Sequence, residues 1–372
     1  MDVNLWRRAL RSTALAQIRY IRPVAPGAAR HLVAQVYADV ERDFGVLAPP
    51  VALHSPAPEL MAAVWLVLRE SAVADGRAAR ATKEALAAAV SGANTCPYCV
   101  TVHGAALDSL IRSRGRGKDS AAIADGEFER IGDPGIRATA EWGRAAAVRE
   151  TADHRTGHHA QPPFPPEQVP ELLGVALVFH YLNRVVNVFL PEVPMPDRAP
   201  RGMLRLVAHV LGGRIRSAAD RSHPAGVSLS LLPDAPLPAD LAWAGDNPTV
   251  AGALARAAAT IDKAGEAAVP ESVRTLVHAR LRDWDGRPPG LDRSWLHKAV
   301  EVLPAADRPA GRLALLVALA SWQIDAAVVE DYRVAAPADK TLVELTAWAA
   351  LTAARAVVAW SPAAWTPTVP ES

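Results

Sequence analysis

The chain of 372 residues sets 40 Lys and Arg against 39 Asp and Glu. So even a balance gives no reason to expect a polyanionic partner, and nucleic acid is not the ligand to look for. The length allows two ordinary domains, whose cores need no disulfide staples.

Arg7, Arg8, Arg11, Arg19 and Arg22 interrupt the apolar residues of the first 22 positions, so no continuous signal-peptide run is formed. Among later apolar stretches, 313–322 is short and 348–360 contains Arg355, so neither is expected to span a bilayer core of about 30 Å. A soluble, cytoplasmic protein with no membrane partner follows as the expectation. In that compartment disulfides tend to be transient and catalytic.

Alanine, leucine, valine, arginine and glutamate dominate, and strand-type alternation is hard to find, so the fold class is expected to be all-α. In chain order the periodicity and the Gly/Pro punctuation predict helices at 28–43, 58–74, 77–92, 97–112, 135–151 and 167–189. The run 226–248, "GVSLSLLPDAPLPADLAWAGDNP", is rich in proline and reads as a linker. Beyond it helices are predicted at 249–264, 270–284, 294–302, 309–331 and 338–360. The chain then divides into a first domain over 1–225 with an N-terminal extension, the linker, and a second domain over 249–372.

The order of helix lengths after the linker echoes that before it. A shift of 194 lays His297 on His103, His278 on Glu84, Gly290 on Cys96 and Arg293 on Cys99. Identity in this window is very low, and a duplicated second copy would have lost both thiols.

The chain's two cysteines lie in "NTCPYCVTVHG", residues 94–104. A helix starting there places Cys96 near the N-cap and Pro97 at its first position, where proline's fixed φ and missing N–H cost nothing. Cys96, Cys99 and His103 then fall at i, i+3 and i+7, on one helical face. Free amides and the dipole at a helix start favour a thiolate, and an imidazole one turn on can exchange its proton. Glu84, on the preceding helix with 11 residues between it and Cys96, can be brought back past the dithiol by the "SGANT" turn.

Plainer readings stand beside this one. Free cysteines are common core residues, and a structural zinc site usually takes four ligands where only one thiol pair exists. Cys96, Cys99, His103 and a carboxylate remain a conceivable zinc set. The helical surroundings argue against a thioredoxin fold, in which CxxC follows a strand. Three further stretches carry polar side chains. His180, Asn183, Arg184 and Asn187 form a stripe that either approaches the site or bonds helix to helix. His154, His158 and His159 read as a solvated loop, and "RSRGRGK" (112–118) as an exposed turn.

Together Glu84, Cys96, Cys99 and His103 have the spacing E-x11-C-x2-C-x3-H, which resembles the active-site signature of the AhpD-like alkylhydroperoxidases in the carboxymuconolactone decarboxylase superfamily. The "CPYC" and "HG" fit that family, and the resemblance runs from about Pro56 to Leu110. It implies an AhpD-like helical fold, here as two tandem domains forming a pseudo-dimer, the second degenerate and without cysteines. It also implies a peroxiredoxin-type oxidoreductase in which Cys99 attacks the peroxide, Cys96 resolves to a disulfide, and Glu84 and His103 relay the proton. The family further implies a homo-oligomer, a hydroperoxide substrate, no bound cofactor or metal, and an external dithiol or lipoyl-type reductant. The alternatives are a silent helical binding protein that retains an unused dithiol, or a zinc protein.

Overall fold

The protein's structure, a computed structural model, describes residues 11–111, 118–149, 162–194 and 201–360. Among them are helices and no strands. Proline opens many of the helices, at a position where the absent N–H would have no intrahelical partner. It stands in the first two positions of α2 (Pro49–Ala52), α3 (Pro58–Leu68), α5 (Pro97–Leu110), α7 (Pro134–Ala145) and α8 (Val169–Phe189). It does so again in α10 (Pro248–Ala268) and α13 (Arg308–Ala320). Asp133 and Asn247 cap α7 and α10, their side chains accepting from backbone amides of the first turn.

The remaining elements are α1 (His31–Asp43), α4 (Arg80–Ala93), α6 (Lys118–Asp125), α9 (Arg201–Ala219), α11 (Glu271–Asp283), α12 (Ser294–Val300), α14 (Ala326–Ala335) and α15 (Asp339–Val358). The helix predicted over 309–331 is two. Ser321–Gln323 form a tight 3-10 turn, and the Asp325 side chain caps the restart by accepting from Val328 N. A π-helical turn, Arg69–Val73, continues α3 and was not expected, nor were α6 and α9.

In the first half α4 packs on α5, α7 and α8, and α9 covers α5. That last contact needs a glycine, because a Cβ on Gly212 would stand 2.7 Å from Ala105 O of α5. Across the halves α3 lies against α10 and α8 against α15. One apolar core runs through both halves.

By length and composition two helices could cross a membrane, Pro166–Phe189 and Asp339–Val358, where the sequence reading credited none. Their most apolar windows are 94% and 72% buried inside the protein, partly against each other, which is what core helices require. Residues 226–248 hold two 3-10 turns, Leu229–Leu231 and Ala239–Ala244, and are pinned at their start. Gly226 N and Ser228 Oγ donate to Glu70 at 2.7 and 2.6 Å, and buried Arg69 joins Glu70 to Asp43.

Candidate active site

The site begins at the turn between α4 and α5. Asn94 caps α4, and Thr95 takes a left-handed φ of 52°. Thr95 N bonds Gly92 O and Cys96 N bonds Ser91 O at 3.2 and 3.0 Å. This is the Schellman closure, with a β-branched residue where glycine is usual. The reversal delivers Cys96 as the N-cap of α5, with Pro97 next and Cys99 in the first turn, as the spacing predicts.

Both cysteines are free and buried, exposed by only 1% and 2%. Burial above all, then the neighbouring Cys96, pushes the Cys99 thiol well above its ordinary value, while hydrogen bonds with Asn183 and Ser91 pull it down. The resting Cys99 thiol is therefore protonated, and its reactivity depends on a base.

His103 sits one turn beyond Cys99 on α5, its Nδ1 2.7 Å from Glu84 Oε2 on α4. The other Glu84 oxygen accepts from Arg80 Nε at 2.7 Å. Burial pushes the Glu84 carboxyl upward most strongly, but the charges of Arg80 and His103 and their hydrogen bonds outweigh it and hold the group at about 2. Near neutral pH Glu84 is thus ionised and can only accept. Nδ1 is then the donor in this bond, which leaves Nε2 as the ring nitrogen turned to proton exchange. The Phe179 ring meets the imidazole edge-on, with centroids 4.4 Å apart, and helps fix its plane.

The polar stripe of α8 lies along the same turn. Asn183 Nδ2 donates to Ser91 Oγ at 2.9 Å, and Asn94 Nδ2 donates to Asn183 Oδ1 at 3.0 Å. His180 Nδ1 also meets Asn94. Arg184 Nη1 reaches Asn94 Oδ1 at 3.3 Å, and Asn187 Nδ2 reaches Asn94 O at 3.3 Å. The stripe therefore does both things considered for it, bonding helix to helix and lining the site.

Three residues in this arrangement escaped the sequence reading. Arg80, four positions before Glu84, carried a helical ion-pair signal that could have found it. Ser91 and Asn94 carried none beyond lying in the turn. In the second half His278 packs edge-on against Trp348, and His297 is exposed on α12. The residues aligned with Glu84 and His103 thus form no comparable pair.

Among the described residues no three His, Cys, Asp or Glu side chains gather as a metal-ligand set. His154, His158 and His159, and residues 112–117 of the basic run, lie outside the described residues.

A buried CxxC at a helix start, beside a carboxylate–imidazole pair in an all-helical frame, defines a helical dithiol protein. The carboxymuconolactone decarboxylase family matches residues 58–113, which span α3 to the end of α5. The alkyl hydroperoxide reductase Rv2159c of Mycobacterium tuberculosis is 35% identical over 351 residues, covering 93% of this chain and 96% of that protein. The chain belongs to the AhpD-like alkylhydroperoxidase family of the carboxymuconolactone decarboxylase superfamily. A crystal structure of an alkylhydroperoxidase AhpD core, an uncharacterized peroxidase-related protein from Ralstonia eutropha JMP134, aligns with 52% of this chain and 97% of that one. It does so at 20% identity and a TM-score of 0.36, an overlap too loose to carry an argument.

Proposed function

We propose that the protein is a thiol-dependent alkyl hydroperoxidase with one dithiol site per chain, regenerated by an external dithiol or lipoyl-type reductant. The observation that carries this reading is the ionised Glu84 hydrogen-bonded to His103 one turn from a buried, protonated Cys99. The name of the mycobacterial relative supports the same reaction class.

In the proposed cycle His103 Nε2 takes the Cys99 proton, directly or through one water. The thiolate attacks the distal oxygen of the hydroperoxide. An S–O bond forms as the O–O bond breaks, and the alkoxide takes up the proton from His103 and leaves as the alcohol. Cys96 then attacks the sulfenic sulfur of Cys99, forming the disulfide and releasing the hydroxyl with a proton as water. An external dithiol returns the pair to thiols by exchange, becoming a disulfide itself. The assembly is proposed to be a cytoplasmic homo-oligomer in which residues 1–225 carry the chemistry and 249–372 form the cysteine-free partner domain.

The silent-dithiol alternative predicts no reaction at all, and one variant separates the two. Cys96→Ser should react once with an alkyl hydroperoxide and stop, leaving a sulfenic acid that dimedone labels at Cys99. Absence of dimedone label at Cys99 would sink the proposal.

Glu84→Gln keeps an acceptor for His103 Nδ1 but removes the charge that stabilises the imidazolium. The oxidation rate of Cys99 by hydroperoxide, followed by stopped flow, should fall by about 10²-fold. The same variant should lose part of the acid dependence of stability. The folded-state Glu84 titrates at about 2 against an ordinary 4.5, so its contribution is fully present above 4.5 and disappears as pH falls towards 2. Urea melts of both proteins across that window would show the wild type declining more steeply.

A further inference from the structure

Beside the turn that precedes Cys96 lies a cleft of about 180 Å³ which both halves build. Asn94 and Thr95 form one wall, and Trp284, Arg287 and Ser321–Trp322 belong to the second half. Its volume equals the liquid share of about six waters, which suits a short organic molecule. Three arginines line it, Arg144, Arg184 and Arg287, with no carboxylate among the lining residues.

Arg184 is the unusual member. It is only 5% exposed, and a buried guanidinium is costly without a counter-charge. Its Nε donates to Ala318 O at 3.0 Å and its Nη1 to His180 O at 2.7 Å and Asn94 Oδ1 at 3.3 Å, while its carbon stands 5.8 Å from the centre of the Trp284 ring. No carboxylate among the described residues pairs with it. At the mouth Arg287 is held by Asp285 at 2.6 Å, whereas Arg144 is exposed. Apolar Val148, Leu319 and Trp322 supply the remaining surface.

We propose that this cleft is a carboxylate-binding site, built by both halves of the chain, that takes a small monocarboxylic acid with an apolar tail. The carboxylate completes the buried Arg184 charge through guanidinium donors left free by the three carbonyl bonds, a geometry in which arginine excels. The tail lies along Trp284 and Trp322. Occupancy reaches the dithiol through two hydrogen-bonded amides, because Arg184 holds Asn94, Asn94 holds Asn183, and Asn183 bonds Cys99. The site gives the cysteine-free half a role. Binding stands on its own, while the link to turnover rests on the peroxidase reading.

Calorimetry with octanoate, with 1-octanol as the uncharged control, tests the site without using activity. Octanoate should bind at least about tenfold more tightly than octanol. Arg184→Met, checked for native helicity, and the exposed Arg144→Glu should each weaken octanoate by a similar factor. Equal affinity for the alcohol, no binding at millimolar octanoate, or unchanged affinity in both variants would overturn the proposal. Two further arms find the source of the acid. A lower KM for a hydroperoxy acid than for the matching alkyl hydroperoxide, lost in Arg144→Glu, places the carboxylate on the substrate. Equal KM values with an octanoate-dependent change in the alkylation rate of Cys99 place it on a separate effector. Either outcome upholds the site.

Discussion

Cys99→Ser should lower steady-state reduction of an alkyl hydroperoxide, driven by a dithiol donor, by at least about 10³-fold. A hydroxyl cannot cycle through a sulfenic acid, and serine's high pKa puts its alkoxide beyond the reach of His103. The substitution should spare the fold. The new hydroxyl would be buried beside Ser91 and Asn183, both of which can exchange hydrogen bonds with it. Unfolding free energy should therefore change by no more than about 1 kcal/mol, so the lost activity would not reflect lost structure. The readout is peroxide consumption at fixed donor concentration, with circular dichroism as the control.

The second large effect concerns what holds the site. Glu171→Ala on α8 should destabilise the protein by roughly 3–5 kcal/mol. Glu171 Oε2 pairs with the buried Lys83 Nζ at 2.8 Å, and the carboxylate also accepts from Arg77 N at 2.7 Å and Ala78 N at 3.2 Å. Its removal strands an ammonium and two amides inside the protein. Lys83 is next to Glu84, so this pair fixes α4 on α8 and with it the position of Glu84 relative to Asn183. The pH dependence has a definite sign. Burial chiefly, opposed by Glu171, already holds Lys83 below its ordinary 10.5, and without Glu171 it must fall further. Between the folded and unfolded pKa the unfolded chain binds more protons, so the variant should regain stability as pH rises towards 10.5. Adding Lys83→Met should recover much of the loss at neutral pH, because it removes the orphaned charge. Chemical denaturation of the single and double variants measures both effects.

Much of this arrangement was legible before any coordinates. Proline starts and apolar periodicity mark the helices that carry the site, and the start of α5 falls at Pro97 because that residue can stand nowhere else in a helix so cheaply. The spacing of Glu84, Cys96, Cys99 and His103 reads directly once a helical hairpin is assumed. What could not be read is which polar groups cross between helices. Nothing local says that Ser91 and Asn183 meet Cys99, since that contact depends on the packing of α4 against a helix some 80 residues away. The break between α13 and α14 was hidden because "SWQID" keeps apolar residues at nearly helical spacing, and only the Asp325 cap ends the ambiguity. α9 carries paired glycines at 212 and 213, which weaken a helical signal. One of those glycines is there to let α9 approach α5.

The stoichiometry of a single turnover addresses the central claim most directly. Fully reduced protein is mixed with one equivalent of an alkyl hydroperoxide, quenched with an alkylating agent, digested and analysed by mass spectrometry. The account predicts one hydroperoxide converted to alcohol per chain, with Cys96 and Cys99 recovered together as an intramolecular disulfide. Hydroperoxide that disappears while both cysteines are still recovered as alkylated thiols would contradict it.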